Sequence, residues 1–484
     1  MTKYIFKTEP YKHQREVLKK SWNSRFYGLF MEMGTGKSKV AIDTIGILFS
    51  QRFLDSALII APKGVYDNWC SKELLQHLSD DIECQIVRWS PSKSQKFNRE
   101  LDTFVAKKSD KLKIFVMNVE AFSTARGTEA AQAFLTMNPE NIVIVDESST
   151  IKNRKAARTK NIMSLRPLSK YRRILTGSPI TKSPMDLFSQ CNFLNKECLG
   201  FSSYYAFQAR YANIQRRSVG HRSFQQISSY KRLDELSEKL DHFSHRVLKK
   251  DCLDLPEKVY TRREIELTKE QLSAYTQMQK LALAMLEGGE LSTTASVLTQ
   301  IMRLQQICCG HLTTDEGVVR ELRSNRLESL LDLVDEIEGK AIIWANYTHD
   351  LLAIEKALKK KFDEPKVAAT FYGATPQDKR QQIVNNFQDV NNPLRFFVGQ
   401  PKTGGFGLTL TEATTVIYFS NSYDLEIRLQ SEDRAHRIGQ TNKVTYVDFV
   451  SPKTIDEKIL NALRDKISLA GQVLKEDVAS WLTY

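Results

Sequence analysis

The sequence predicts an α/β protein built as two tandem lobes, each a parallel sheet covered by helices on both faces, with helical insertions between the core segments. Three observations predict it. Short β-branched runs alternate with turns and helical patterns, which is the signature of parallel α/β units. The same style returns in the second half, after a stretch where helical patterns dominate. The chain has 484 residues, more than one hydrophobic core usually holds.

In the first half the strands are expected at "YGLFMEM" (27–33), "ALIIAP" (57–62), "KIFVMNV" (113–119), "IVIVDE" (142–147) and "RRILTGS" (172–178). All are apolar on both faces, so helices are needed on both sides of their sheet. The second half offers "AIIWAN" (341–346), "VAATFYG" (367–373), "RFFVGQ" (395–400), "TVIYFSN" (415–421) and "VTYVDFV" (444–450). The boundaries are set at 1–250 and 251–484, with a basic helical insertion at about 195–250 and a second one at about 265–338. A C-terminal helix is expected to brace the second lobe.

Within the second insertion, "KEQLSAYTQMQKLALAMLE" and "ASVLTQIMRLQQICC" carry apolar residues at helical spacing, separated by the flexible "GGELSTT". The first insertion holds a stretch, 198–233, with no acidic residue but with Arg210, Arg216, Arg217, Arg222, Lys231 and Arg232, and with aromatics interleaved. A nucleic-acid contact and an ordinary solvated basic face both fit it.

An apolar fraction of 41% with 26% charged residues is that of an ordinary globular protein. The longest apolar runs fall far short of the roughly 20 residues that span a bilayer. The N-terminal residues lack an apolar signal core, so an intracellular, cytoplasmic protein with no membrane partner is expected. Seven cysteines without paired spacing read as reduced thiols. In "CCGH" the adjacent Cys308 and Cys309 would point different ways on a helix, which argues against a metal site there. Basic residues exceed acidic ones by 13, favouring polyanionic partners.

"LFMEMGTGKSKVAI" (29–42) lies between an apolar strand and a helical pattern. Gly34 and Gly36 leave room for backbone amides to close on phosphate oxygens at a helix start. Lys37 would neutralise the outer phosphates, and Ser38 would offer its hydroxyl to magnesium. The full phosphate-loop pattern wants glycine where this chain has Met31. A glycine-rich turn with an exposed lysine is the plainer alternative. Against it, "IVIVDESS" supplies Asp146 and Glu147 at the end of another buried strand, where one acid can hold the metal and the next can orient water. Helix-capping acids would look similar. Gln14 in "YKHQREVL" has an amide able to read an adenine edge. Far away, "RLQSEDRAHRIGQ" spaces Gln430, Arg434 and Arg437 by four and three, placing them on one helical face. Arginines so placed could stabilise charge on a transferring phosphoryl group.

In order along the chain, "YKHQ", "MGTGKS", "APKGVYDNW", "DESSTIKN", "LTGSPI", "RVLKKDCLDLPEK", "IMRLQQICCGHL", "YGATPQDKRQQIVNNF", "TGGFGLTLTEATTVIYF" and "QSEDRAHRIGQ" resemble the SWI/SNF-type ATPases, a branch of superfamily-two helicases and translocases. That resemblance implies two RecA-like lobes hydrolysing ATP at the cleft between them, with ATP and magnesium as cofactors. It implies a monomeric motor gripping the backbone of double-stranded DNA without sequence preference. Its site residues would be Gln14 on adenine; Gly34, Thr35, Gly36, Lys37 and Ser38 on the phosphates, joined by Gln430; Ser38 and Asp146 on magnesium; and Glu147 as the water-activating base. Arg434 and Arg437 would be fingers from the second lobe. Thr176, Gly177 and Ser178 would couple nucleotide state to DNA, and Lys63, Thr403, Gly405 and Gly407 would contact DNA. The family tolerates a residue other than glycine at Met31. Two departures stand out: Ser149 replaces the histidine of D-E-x-H, and "MGTGKS" replaces the commoner "MGLGKT". The short flanks predict a minimal motor of bacterial, archaeal or phage kind, acting in the cytoplasm of its cell or host. A strand-separating helicase on single-stranded DNA or RNA is the alternative function.

Overall fold

The computed structural model describes residues 4–63, 65–92, 94–106, 108–219, 222–287, 294–314, 316–404 and 408–474. The chain forms two compact units. One comprises the residues up to Ala212 together with Tyr230–Asp254, and the other comprises Leu255–Gly471 together with Asn213–Ser229.

The strands in chain order are β1 (Phe26–Met31), β2 (Ser56–Ala61), β3 (Cys84–Arg88), β4 (Leu112–Asn118), β5 (Asn141–Asp146), β6 (Tyr171–Leu175), β7 (Ala212–Val219), β8 (Arg222–Tyr230) and β9 (Ser244–Val247). They continue with β10 (Lys258–Glu264), β11 (His311–Thr313), β12 (Val319–Glu321), β13 (Lys340–Trp344), β14 (Ala368–Phe371), β15 (Phe396–Gly399), β16 (Ala413–Tyr418) and β17 (Val444–Val450).

The first unit holds a seven-stranded sheet in the order β3-β4-β2-β5-β6-β1-β9, and every pairing in it is parallel. Parallel strands need crossovers, and helices such as Lys37–Ser50 and Ala125–Met137 supply them. Leu29, Met31, Ile59, Ile114 and Ile144 join one core cluster, while Phe30, Ile60, Phe115 and Val145 on the opposite face are also fully or almost fully buried. This is the both-face burial expected of such strands.

The second unit holds a six-stranded parallel sheet in the order β10-β17-β16-β13-β15-β14. Ala341 and Ile343 face one cluster, Ile342 and Trp344 the other, so its two cores alternate along β13. A further cluster joins Tyr275, Leu304 and Ile307 to Ile459, Leu460 and Leu463 of the C-terminal helix Ile455–Leu474. Both units are RecA-like lobes.

The first insertion corrects the helical expectation for about 195–250. Between the helices Tyr204–Tyr211 and Leu233–Asp241 the chain pairs β7 with β8 as a two-stranded sheet, and β9 joins the main sheet as its edge. "ANIQRRSVGHRSFQQISSY" has no apolar face at helical spacing, and its central glycine is a turn signal. Part of the basic stretch is neutralised from outside it: Arg210 pairs with Glu235, which also takes Lys239. The "GGELSTT" linker lies almost wholly outside the described residues. No helix among the described residues is long and apolar enough to cross a membrane.

Candidate nucleotide site

β1 ends at Met31, whose side chain is fully buried in the core. That position is still strand, so it gains from an apolar side chain. The loop itself begins after it. Gly34 and Gly36 both adopt left-handed backbone, at φ of 81° and 88°, a conformation that disfavours any side chain. Gly36 caps the helix Lys37–Ser50, leaving first-turn amides directed at the loop.

Two side chains of the helix Lys12–Ser21 hold the loop from below. His13 Nε2 and Gln14 Nε2 lie 2.8 and 3.2 Å from the Thr35 carbonyl, and Gln14 Oε1 accepts the Tyr11 amide at 3.0 Å. Gln14 is therefore 3% exposed and spends both ends of its amide on backbone. A Cβ on Gly36 would come within 2.1 Å of its Nε2. Gln14, the residue expected on adenine, also buttresses the loop. Thr35 is buried, and its Oγ1 donates to the Glu32 carbonyl at 2.8 Å. Lys37 Nζ reaches the same carbonyl at 3.5 Å, and Ser38 is half-buried beside it.

The acids stand at the end of β5, in the same sheet. Asp146 is 5% exposed and accepts the Trp69 indole N–H at 2.9 Å and the Glu147 amide at 2.9 Å. Burial pushes its carboxyl up from the ordinary range, opposed by the charge of Lys37 and by those two hydrogen bonds. A buried anion so incompletely compensated is the condition a divalent cation relieves. Glu147 sits at φ 44°, ψ 60°, left-handed backbone that a non-glycine residue rarely keeps without local support. Ser148 Oγ donates to Gln190 Oε1 at 2.8 Å, and Gln190 Nε2 donates to the Pro179 carbonyl at 2.8 Å. The acid turn is thereby tied to the segment following Thr176–Ser178. Ser149, where the family often has histidine, is buried.

Thr176 Oγ1 accepts the Ser178 amide at 3.1 Å. Arg246 donates to the carbonyls of Gly177 and Phe30 at 2.8 and 3.1 Å, binding this turn to β1. A Cβ at Gly177 would lie 3.3 Å from the Met33 amide nitrogen. The coupling candidates thus pack against the phosphate loop. Lys63 is exposed after β2.

In the second unit the helix Leu425–Glu432 contains Gln430 but ends before Arg434 and Arg437. This corrects the single helical face read from their spacing. From Arg434 to His436 the chain tightens into turns, with Ala435 packed in a core cluster and Gly439 at φ 100°. Gln440 Nε2 donates to the carbonyls of Thr411, Ala413 and Ala435, fixing the turn by tertiary contacts that outweigh helical spacing. The two arginines converge nonetheless: Arg434 Nη1 and Arg437 Nη1 donate to the Leu408 carbonyl at 3.1 and 3.0 Å. Arg434 is 2% exposed and also donates to the Gln430 carbonyl, while Arg437 is half-buried. Thr403 is half-buried against Gln400, and Gly405 and Gly407 lie outside the described residues.

Beneath this turn lies a buried ionic network that the spacing of motifs did not reveal. Arg428 donates to Glu432 Oε1, Asn421 Oδ1 and Asp448, and lies 3.6 Å from the Tyr418 ring centroid. Glu432 takes Lys258 at 3.0 Å and the Tyr260 hydroxyl at 2.8 Å from β10. Trp69 and Arg246 were missed likewise. "APKGVYDNW" and "HRVLKK" contain them, but only the fold brings them to Asp146 and Gly177.

Residues 13–312 match the SNF2-related domain, and residues 325–439 match the helicase conserved C-terminal domain. The chain is 28% identical over 467 residues to "Putative ATP-dependent helicase/translocase YwqA" of Bacillus subtilis (strain 168), covering 93% of this chain and 46% of that one. It is 26% identical over 480 residues to the SWI/SNF chromatin-remodeling complex subunit snf22 of Schizosaccharomyces pombe (strain 972), covering 94% and 27%. The chain therefore spans less than half the length of these relatives. Among solved structures, the Sulfolobus solfataricus SWI2/SNF2 ATPase core in complex with dsDNA matches at 24% identity and a TM-score of 0.44, covering 100% of this chain and 96% of that one.

Proposed function

Because this chain belongs to the SNF2-related family, we propose that it hydrolyses ATP and uses the cycle to move along double-stranded DNA, acting as a monomer in the cytoplasm. The observation that carries the reading is the pairing within one sheet of a left-handed glycine loop after β1 with a buried, cation-seeking Asp146 and a strained Glu147 after β5. The names of the relatives, a helicase/translocase and a chromatin-remodeling subunit, support it.

Lys37 and the amides opening its helix bind the phosphates. Ser38 and Asp146 would hold magnesium, which when bound withdraws charge from the phosphoryl oxygens. Glu147 orients the attacking water and accepts its proton. Arg434 and Arg437 would meet the charge that develops on the transferring phosphoryl group. Thr176–Ser178 would pass the change at the loop to DNA-binding segments such as those of Lys63 and Thr403. An excess of 13 positive charges suits backbone contacts, which position a motor without reading sequence.

ATP turnover measured against duplex DNA, forked DNA, single strands and RNA tests this. Duplex DNA is expected to raise the rate, and binding is expected to fall steeply as salt rises. A rate that stays flat as duplex DNA is titrated in would overturn the motor reading. Stimulation by single strands alone, with strand separation, would replace it by the helicase alternative.

A further inference from the structure

We infer that the second unit binds a divalent transition-metal ion of the zinc class through His311, His349 and Asp350. His311 opens β11, just beyond the helix Thr294–Cys309, while His349 and Asp350 occupy the first turn of the helix Thr348–Phe362. One ligand atom from each lies within 4.8 Å of the others. His311 Nδ1 is 3.0 Å and His349 Nδ1 is 3.7 Å from Asp350 Oδ1. Tetrahedral ligands about 2.0–2.1 Å from zinc stand about 3.3 Å apart, so these separations bracket the needed one.

A buried histidine–aspartate ion pair is the plain alternative, and the hydrogen bonding argues against it. His311 is 1% and Asp350 3% exposed, yet both imidazoles crowd the one oxygen, Asp350 Oδ1, and His311 Nδ1, His349 Nδ1 and Asp350 Oδ2 have no well-aligned hydrogen bond. The short nitrogen–oxygen approach is not aligned for one. Three buried polar atoms so poorly satisfied at one spot are costly, and a single cation would satisfy them together. On its far side His349 Nε2 lies 3.5 Å from Glu321 Oε1, the outer carboxylate that commonly orients a ligating imidazole. Two imidazoles and one carboxylate suit zinc, cobalt or nickel better than the all-oxygen shells of magnesium or calcium. This site is separate from any magnesium carried by ATP. His349 has 29% of its side chain exposed, which gives the ion an entry path. The bound ion would pin the β11–β12 hairpin to the helix Thr348–Phe362.

The test is titration of the reduced, chelator-treated full chain with cobalt(II), read by its visible absorption, with zinc as competitor. One equivalent is expected, with a four-coordinate spectrum lacking a thiolate charge-transfer band. His349→Ala and Asp350→Asn should abolish uptake, and Glu321→Ala should weaken it roughly ten-fold. His349→Ala keeps the test decisive if Asp350→Asn does not fold, because His349 is the exposed member. No uptake, uptake unchanged in His349→Ala, or a thiolate band assigning the metal to cysteines would each overturn the inference.

Discussion

Gly36→Ala and Gln14→Ala form a pair whose coupling follows from the geometry of the loop. At φ 88° an alanine costs about 1–2 kcal/mol in backbone alone. Its Cβ would also sit 2.1 Å from Gln14 Nε2, and that amide cannot swing aside without losing the Thr35 and Tyr11 bonds. Overpacking of this kind adds about 1–3 kcal/mol. The single Gly36→Ala variant should therefore lose about 2–5 kcal/mol. Gln14→Ala alone gives up two hydrogen bonds at about 0.5–1.5 kcal/mol each. In the Gln14→Ala background the clash is gone, so adding Gly36→Ala should cost only its backbone part. The cycle should show about 1–3 kcal/mol of coupling. It is measured without nucleotide, by urea unfolding with hydrogen exchange of the helix Lys37–Ser50 as the probe, so that the first unit is followed by itself. Additivity within about 0.5 kcal/mol would refute the buttress. A Gln14→Ala variant with unchanged stability but weakened ATP binding would leave Gln14 with the adenine role alone.

Trp69→Phe keeps an aromatic ring but removes the donor to Asp146 together with part of a fully buried side chain, so thermal unfolding of the first unit should register a loss of at least about 1.5–3 kcal/mol; an unchanged midpoint would show that Asp146 does not depend on the indole. Arg428→Ala takes the guanidinium from Asp448 and Glu432, both fully buried, leaving Asp448 with the Asn421 amide and Glu432 with Lys258 and Tyr260, and should cost about 3–5 kcal/mol by denaturant unfolding. Arg437→Ala should instead fold normally and lose ATP turnover, and unchanged turnover there would remove the finger assignment. His77 is held neutral: burial, then the charges of Lys39 and Lys72, lower it from 6.5 to about 4. The unfolded chain binds that proton first, so its contribution is intact above pH 6.5 and lost as pH falls towards 4. His77→Gln should flatten the acid side of the stability profile, and an identical slope would rule the residue out.

The strands legible in the sequence and those that were not differ in where they lie. Interior strands such as β2, β5 and β13 are buried on both faces, and an unbroken apolar run announces them. In the two main sheets the three unrecognised strands, β3, β9 and β10, are all edges, and the other four, β7, β8, β11 and β12, pair in two-stranded sheets that have nothing but edges. β10 mixes partly buried and exposed positions along "KVYTRRE", with no fully buried residue, and has Lys258 turned to a buried glutamate and Arg263 to a surface one. An edge strand is made by its partner's hydrogen bonds, and charge on it blocks further pairing, so its composition hides it. The expected strands 27–33 and 172–178 extend beyond the observed ends at Met31 and Leu175, where the chain passes into the loops that carry Gly34 and Gly177.

The candidate site divides along a similar line. Gly34, Lys37, Asp146 and Glu147 declare themselves because each is marked by its own local backbone: a left-handed turn, a helix start, a strand end. Trp69, Arg246 and Arg428 act through partners 77, 69 and 20 residues away, a separation no local spacing encodes. Arg434 and Arg437 show the middle case: spacing grouped them with Gln430 on one helical face, but the helix holds only Gln430. A turn fixed by Gln440, rather than a helix, brings them to one carbonyl. Met31 is the same lesson at a single position. As a loop residue it reads as a lost glycine; as the last residue of β1 it is a core side chain. The turn that needs glycine starts three residues later, at Gly34, where the φ of 81° requires it.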